Sequence, residues 1–305
     1  MISEVPSCYQ YSVDCWFEIH NPGTQTIQLA NYQIKTYGID IVTQPIDFDA
    51  IDLVVFDLPP ISIAPEGYVV VSANFDNQSQ IGTQQIKLRS GHHIPLPVFR
   101  ANRLGQAHDL GYIEILKSGK TVDFVTLGDE KHTPTTLSAW SGPALPALPW
   151  GAQEYGRAWV RPYRPTGIVV DTNTAADWVR VDWVTPAGRN DVPAGTLDTD
   201  QDGIPDSAEV QGGTFAGLDL YAMGARTGVK DLFLEIDQMQ KLPLQAGLVV
   251  QKAALQKVVQ AFARQNIRVR FDVGDFFNPD FSVEDFNLGQ TDSRVPFDQC
   301  VALDQ

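Results

Sequence analysis

Residues 198–209 read DTDQDGIPDSAE and combine acidic side chains with glycine at a spacing suited to metal binding. Carboxylates occupy loop positions one, three, five, nine and twelve, and glycine occupies position six. This spacing is typical of calcium loops, in which oxygen ligands alternate around a hard cation and glycine permits a sharp turn. We predict ligands from five side chains and one backbone carbonyl, namely Asp198, Asp200, Asp202, the carbonyl of Ile204, Asp206 and Glu209.

The close spacing of these acids favours a bound cation, because neighbouring carboxylates repel one another unless a positive charge neutralises them. The alternative is a solvated acidic linker that binds no metal. We favour Ca²⁺ as the bound ion, since the ligands are all oxygen atoms.

The overall charge restricts the partners of the protein. The 305 residues include 22 Lys and Arg against 37 Asp and Glu, which gives a formal net charge of −15. With so few cations to replace counterions, we expect no binding to nucleic acid or to an anionic membrane. No run of 18 apolar residues is present, so we expect no membrane-spanning helix.

Two features bear on the cellular compartment. The first residues, MISEV, lack the basic and apolar regions of a signal peptide, which leaves open that one was removed. Cys8 and Cys15 lie close together in sequence and Cys300 is distant. The first two form either a small disulfide in an oxidising compartment or two free thiols, and both alternatives stay open.

The first 124 residues follow a β pattern, with short apolar runs between turn residues and with alternation inside several runs. The predicted strands are 16–19, 27–29, 51–56, 68–72, 113–116 and 122–125. A Pro- and Trp-rich stretch from about 133 to 165, containing SGPALPALPWG, predicts an extended arm. Further β character returns at 159–160 and 178–184.

The pattern changes after Gly213. Residues 230–237 predict a strand, residues 246–265 predict an amphipathic helix, and residues 267–273 alternate as a second strand. Strand, helix and strand in this order predict a βαβ unit with parallel strands.

An aromatic cluster accompanies the arm: Trp140, Trp150, Tyr155, Trp159, Tyr163, Trp178 and Trp183. We expect these rings to fill the sandwich core and pack the arm. The alternative is an exposed cluster that stacks on sugar rings or anchors a partner protein.

The first half of the chain resembles a lamin-tail-type domain, an immunoglobulin-like β-sandwich. The resemblance lies in ISEV at 2–5, WFEIHNPG at 16–23, IQL at 27–29, IAPEGYVVV at 63–71 and GKTVDF at 119–124. It implies a binding or structural module without catalysis. Glu18 and Asn21 are then expected to make structural hydrogen bonds at strand ends.

The acidic loop resembles a thrombospondin type-3 calcium repeat, with an EF-hand as the competing resemblance. An EF-hand needs a helix before the loop, and AGRNDVPAGTL at 187–197 is a poor helix former. It also needs an apolar residue at loop position eight, where Pro205 stands. The repeat is the better match and implies a linker that calcium stiffens.

The last third resembles the opening of a bacterial zinc-metallopeptidase-like domain. The matching residues are GLDL at 217–220, GA at 224–225, KDLFLEIDQM at 230–239, VVQAFA at 258–263 and FDVG at 271–274. Catalysis in that family needs the zinc motif H-E-x-x-H, which this sequence lacks, so no catalytic residue is assigned.

The sequence therefore predicts a mainly β protein: an Ig-like sandwich at 1–185, a calcium-binding linker at 186–213 and a small α/β segment at 214–305. We expect a bacterial, secreted or cell-surface protein that binds Ca²⁺, has no catalytic activity in this form and takes a protein or carbohydrate partner. The alternatives are the front portion of a secreted zinc metallopeptidase and a self-assembling surface or filament subunit.

Overall fold

The computed structural model describes residues 1–6, 16–40, 51–74, 80–81, 84–89, 93–95, 98–101, 107–128, 132–146, 156–163, 170–236, 238–239, 251–273 and 294–295. The three cysteines lie outside these residues, and so does the disulfide prediction. The chain divides into two compact units. Unit 1 comprises Met1–Thr196 and Phe215–Leu218, and unit 2 comprises Leu197–Thr214 and Asp219–Gln305.

Unit 1 is built from short strands. They are β1 (Ile2–Pro6), β2 (Trp16–His20), β3 (Ile27–Gln28), β4 (Tyr32–Asp40), β5 (Ile51–Asp57), β6 (Ser62–Ile63), β7 (Tyr68–Asn74), β8 (Gln80–Ile81), β9 (Gln85–Arg89), β10 (His93–Pro95), β11 (Val98–Ala101), β12 (Ala107–Lys117), β13 (Lys120–Leu127), β14 (Ala158–Val160) and β15 (Val179–Val181). Short 3-10 helices occur at Leu137–Ala139 and Ala175–Asp177.

Two larger sheets organise these strands. The first has the order β15-β14-β1-β2-β7-β9-β8, antiparallel except for the parallel pair β7 and β9. The second has the order β10-β4-β12-β11, with β5 pairing β4 and β13 pairing β12. All of the pairs in the second sheet are antiparallel.

One apolar core joins the two sheets. In β2, Phe17 and Ile19 point into this core, and alternation places Glu18 on the opposite face. The second sheet contributes side chains such as Ile113 and Phe124 to the same cluster. Two sheets that bury a shared set of apolar side chains form the layers of a β-sandwich. The prediction of a mainly β fold is therefore confirmed.

The described residues of the Pro- and Trp-rich stretch include a short 3-10 helix and a strand. Strand β14 lies inside the range 133–165, yet it is an internal strand of the first sheet, between β15 and β1. The strand can be internal because its three residues contain no proline and can donate to both neighbours. The arm prediction is wrong for these residues, whereas the predicted β character at 159–160 is confirmed.

Unit 2 contains β16 (Lys230–Glu235), β17 (Gln238–Met239), the α-helix α1 (Lys252–Ala263), β18 (Ile267–Asp272) and β19 (Arg294–Val295). Strands β16 and β18 pair in parallel, in the register Lys230 with Ile267 through Glu235 with Asp272. Strands β17 and β19 also pair in parallel.

Helix α1 packs on β18 through a small apolar cluster made of Leu255, Val269, Phe271 and Val273. The helix begins after Gln251, whose backbone is extended, and it ends before Arg264, slightly short of the predicted end at residue 265. The predicted residues 246–250 lie outside the described residues. Among the described residues, no helix has the length and apolar character needed to cross a membrane.

Candidate metal centre

The acidic loop lies in unit 2 and folds around its first aspartate. The Oδ1 atom of Asp198 accepts the backbone N–H groups of Gln201 at 2.7 Å and Asp202 at 3.3 Å, and Oδ2 accepts that of Gly203 at 3.0 Å. Gly203 has a φ of +94°, a left-handed conformation that glycine adopts without strain. The predicted sharp turn at loop position six is therefore present.

Asp206 secures the other end of the loop. Its Oδ1 atom accepts the N–H of Thr199 at 2.8 Å and its Oδ2 atom accepts the hydroxyl of the same residue at 2.7 Å. Its own N–H donates to the carbonyl of Leu197 at 2.8 Å. A short 3-10 helix, Asp206–Ala208, then leads to Glu209. Asp198 and Asp206 thus both hold the loop's own backbone.

The middle acids attach the loop to the segment that precedes and begins β16. Asp200 Oδ2 accepts the N–H of Gly228 at 2.7 Å, and Asp202 Oδ2 accepts the N–H of Asp231 at 2.6 Å. Asp202 Oδ1 also accepts the N–H of Ile204 at 2.8 Å. The loop and the first strand of the parallel pair are consequently hydrogen-bonded to each other within unit 2.

The fold adds an acid that the loop pattern does not contain. Asp231, the second residue of β16, is buried with 4% exposure and accepts the N–H of Arg226 at 3.0 Å and a bond from the Arg270 guanidinium. The available sequence signal was an acidic residue at the start of the apolar strand KDLFLE. Strand prediction alone did not connect it to a loop that ends more than twenty positions earlier.

Two groups of carboxylates converge in this region. Asp198, Asp200 and Asp202 form one, and Asp202, Glu209 and Asp231 form the other; in each, one oxygen per residue lies within 4.8 Å of the others. Calcium–oxygen distances of 2.3–2.6 Å allow two ligands of one ion to lie up to about 5 Å apart. Both groups therefore have the spacing that a single Ca²⁺ requires, and Asp202 belongs to both.

Glu209 is the unusual member. Its side chain is buried with 2% exposure, and neither carboxylate oxygen has a hydrogen-bond partner among the described residues. Burial, followed by the negative charges of Asp200, Asp202 and Asp231, raises its pKa to about 7. The side chain of Thr227 lowers this pKa by more than the charge of Asp231 raises it, although its geometry is not that of a hydrogen bond.

A buried carboxylate without a donor is costly, and a second charge of the same sign increases the cost. Two unit charges about 4 Å apart repel by about 4 kcal/mol at an effective dielectric constant of about 20. Burial, together with the charges of Asp200 and Asp198, also raises the pKa of Asp202, although the two backbone N–H groups that this carboxylate accepts lower it. A divalent cation would supply the positive charge that this group of oxygens lacks.

The predicted ligands separate into two sets. Asp202 and Glu209 form a group with Asp231, whereas Asp200 belongs to the group with Asp198 and Asp202. The Oδ1 atom of Asp200 is buried without a hydrogen-bond partner among the described residues. Asp198 belongs to the group with Asp200 and Asp202, and Asp206 is in neither group. Ile204 lies in the same turn with its side chain buried.

The other polar residues selected from the sequence are structural. The buried Nδ2 group of Asn21 donates to the carbonyls of Gln25, Ile63 and Ala64 at 2.8–3.0 Å. Glu18 is also buried and accepts bonds from the hydroxyl of Ser3 and the N–H of Ala187. Both make the hydrogen bonds expected of structural residues.

The aromatic cluster is largely internal where the structure describes it. Trp140 and Trp178 are buried in the sandwich core, and Trp159 packs against that core. The indole N–H groups of Trp159 and Trp183 donate to the carbonyls of Pro146 and Thr196. Buried rings cannot stack on a sugar, so the core interpretation holds for Trp140 and Trp178. Trp150 and Tyr155 lie outside the described residues.

No protein-family model matches this chain, and a search of curated proteins found no matching relative. The three resemblances drawn from the sequence therefore stay predictions, and the function of the site is inferred from its own chemistry.

Proposed function

We propose that the protein binds Ca²⁺ through the acidic loop at 198–209 and acts as a non-catalytic structural or binding protein, secreted or at the cell surface. One observation carries the proposal: the buried Glu209 carboxylate has no donor among the described residues and faces three further carboxylates. The secreted, partner-binding role is supported by the lamin-tail-like resemblance of the first half.

The donor set favours a hard cation. All of the side chains in the two groups are carboxylates, which suit Ca²⁺ and Mg²⁺, whereas zinc sites usually include histidine or cysteine. Calcium accepts six to eight oxygens in flexible geometry, and magnesium requires a near-octahedral set at shorter distances. Oxygen ligands that come from several turns of an irregular loop suit Ca²⁺, which is the larger ion and tolerates irregular geometry.

The role of the ion would be to stabilise the folded state of unit 2. Bound between the loop and the residues around β16, it would neutralise carboxylates that otherwise repel one another. Ligands from separate segments must come together to bind it, so unfolding would release the ion.

The test is calorimetry on the full chain. Titration with CaCl₂ after treatment with a chelator should give saturable binding, and scanning calorimetry should show a transition at higher temperature in calcium than in chelator. At a hundredfold excess of free ion over its Kd, we expect about 2.7 kcal/mol of added stability.

Matched titrations with MgCl₂ report ion selectivity. The variant Asp219→Asn is the control, since Asp219 is exposed and, among the described residues, its carboxylate accepts a single hydrogen bond, from the N–H of Ala222. Identical melting in calcium and chelator, with no heat of binding, would refute the proposal.

A further inference from the structure

Asp231 occupies a position that the acidic loop alone cannot supply. It projects from β16 into the group formed with Asp202 and Glu209, and the carboxylate oxygens of the three residues lie within 4.8 Å of one another. Asp231 and Glu209 are both buried, and Glu209 has no hydrogen-bond partner among the described residues. The buried, unpartnered Glu209 carboxylate is the independent sign of a missing ligand here.

We propose that Asp231 is a ligand of the bound cation, together with Asp202 and Glu209, so that the ion fastens the loop to the first strand of the parallel pair. This inference rests on the proposed calcium function. It moves the centre of the site away from the loop pattern, because Asp198 and Asp206 then shape the loop instead of binding the ion.

The hydrogen bonds and the ion pair of Asp231 still allow its carboxylate to bind a cation. Arg270 bonds Oδ1 of Asp231 and also donates to the carbonyl of Gly224 at 2.6 Å, and the N–H of Arg226 bonds Oδ2. Each carboxylate oxygen can accept more than one partner, so both retain capacity for a metal. The guanidinium of Arg270 balances the carboxylate of Asp231, and no described lysine or arginine forms an ion pair with Asp202 or Glu209.

The loop ends differ from Asp231 in their position, because Asp206 is in neither group of carboxylates and Asp198 is not in the group that contains Glu209. Asp198 already accepts three backbone N–H groups, and both oxygens of Asp206 are bonded to Thr199. These bonds fix the conformation in which Gly203 turns the chain and Glu209 is buried. Their partners are backbone and hydroxyl donors that an asparagine oxygen can also accept in part.

Binding affinities of isosteric variants provide the test. Calcium titration calorimetry on the full chain should give a Kd for Asp231→Asn that is weaker than that of the unaltered protein by about tenfold or more, since ligand charge sets calcium affinity. The exposed control Asp219→Asn should stay within about threefold, the range of ordinary surface substitutions.

A second measurement is needed because Asp231→Asn could misfold: the Asp231 carboxylate also accepts bonds from the backbone N–H of Arg226 and the guanidinium of Arg270. In the unaltered protein, the side-chain carboxyl carbon resonance of Asp231 should shift on addition of calcium. The resonance of Asp219 should stay in place. This readout requires no substitution at the site.

The outcomes separate the two proposals. If the unaltered protein binds calcium, but Asp231→Asn keeps its affinity and the Asp231 resonance does not move, Asp231 is not a ligand and the loop site stands. If the unaltered protein shows neither heat nor a resonance shift, the calcium function itself fails. Weakened binding with a shifted Asp231 resonance supports the inference.

Discussion

A pair of buried glutamates should make the stability of unit 1 depend on pH. Glu4 of β1 and Glu18 of β2 are direct cross-strand partners, and both are fully buried. The N–H of Thr185 donates to Glu4, and the N–H of Ala187 donates to Glu18. Neither glutamate forms an ion pair with a described lysine or arginine, so donors of hydrogen bonds replace counter-charges.

Burial raises the pKa of Glu4 from 4.5 to about 8, and burial together with the charge of Glu4 raises the pKa of Glu18 well above its usual value. The folded state thus holds protons that the unfolded chain releases. A raised pKa contributes stability that is complete below the unfolded value and is lost as the pH rises through the folded value. For Glu4 the window runs from 4.5 to about 8.

The perturbation is Glu4→Gln, an amide that imitates the protonated side chain at every pH. One proton per molecule changes the free energy of unfolding by about 1.4 kcal/mol per pH unit. Relative to the variant, the unaltered protein should therefore lose up to that amount per unit between about pH 5 and 8, and little more above the window. The summed loss is bounded by about 5 kcal/mol.

Urea unfolding followed by tryptophan fluorescence is the assay, because all six tryptophans belong to unit 1. The control is Asp182→Asn, at a carboxylate with 49% side-chain exposure that pairs with Arg157. A difference between the unaltered protein and Glu4→Gln that is constant from pH 5 to 9 would refute the reasoning. The reasoning would also be refuted if the difference between the unaltered protein and Asp182→Asn changed with pH by the same amount.

One substitution in each unit tests its packing. In unit 1, Phe124→Ala should lower the free energy of unfolding by about 3–5 kcal/mol, because the phenylalanine ring is fully buried between the sheets. Urea unfolding measures this change, and the control Leu137→Ala, at a side chain with 76% exposure, should change the free energy of unfolding by no more than about 0.5 kcal/mol. Gly213→Ala would place a Cβ against the carbonyl oxygen of Ser207 in the acidic loop, and we expect about 1–3 kcal/mol of destabilisation. Scanning calorimetry should show a lower transition and calcium titration a weaker Kd, whereas an unchanged profile would contradict the close approach of Gly213 to Ser207.

Local patterns were sufficient for much of the secondary structure. Each of the six strands expected between residues 16 and 125 overlaps an observed strand, since alternating apolar residues identify a half-buried strand. The helix after β17 is predicted from its apolar repeat, but its C-terminal end lies two residues before the predicted one, because such a repeat does not mark where a helix ends. The sequence does not predict that β14 is an internal strand. The prolines that suggested an arm lie on either side of β14, and the place of a strand in a sheet depends on partners that are distant in sequence.

The candidate metal centre also has a part that the sequence predicts and a part that it does not. The sequence alone predicts a tight, oxygen-rich loop from the spacing of acids around Gly203. This is possible because the backbone N–H groups that bond Asp198 and Asp206 lie only a few residues away in sequence. Only the tertiary structure brought Asp231 to that loop and buried Glu209 beside it, since these contacts require a strand to pack against a distant segment. The cost of an unpaired carboxylate depends on how deeply it is buried, and the spacing of residues in the sequence does not reveal that burial.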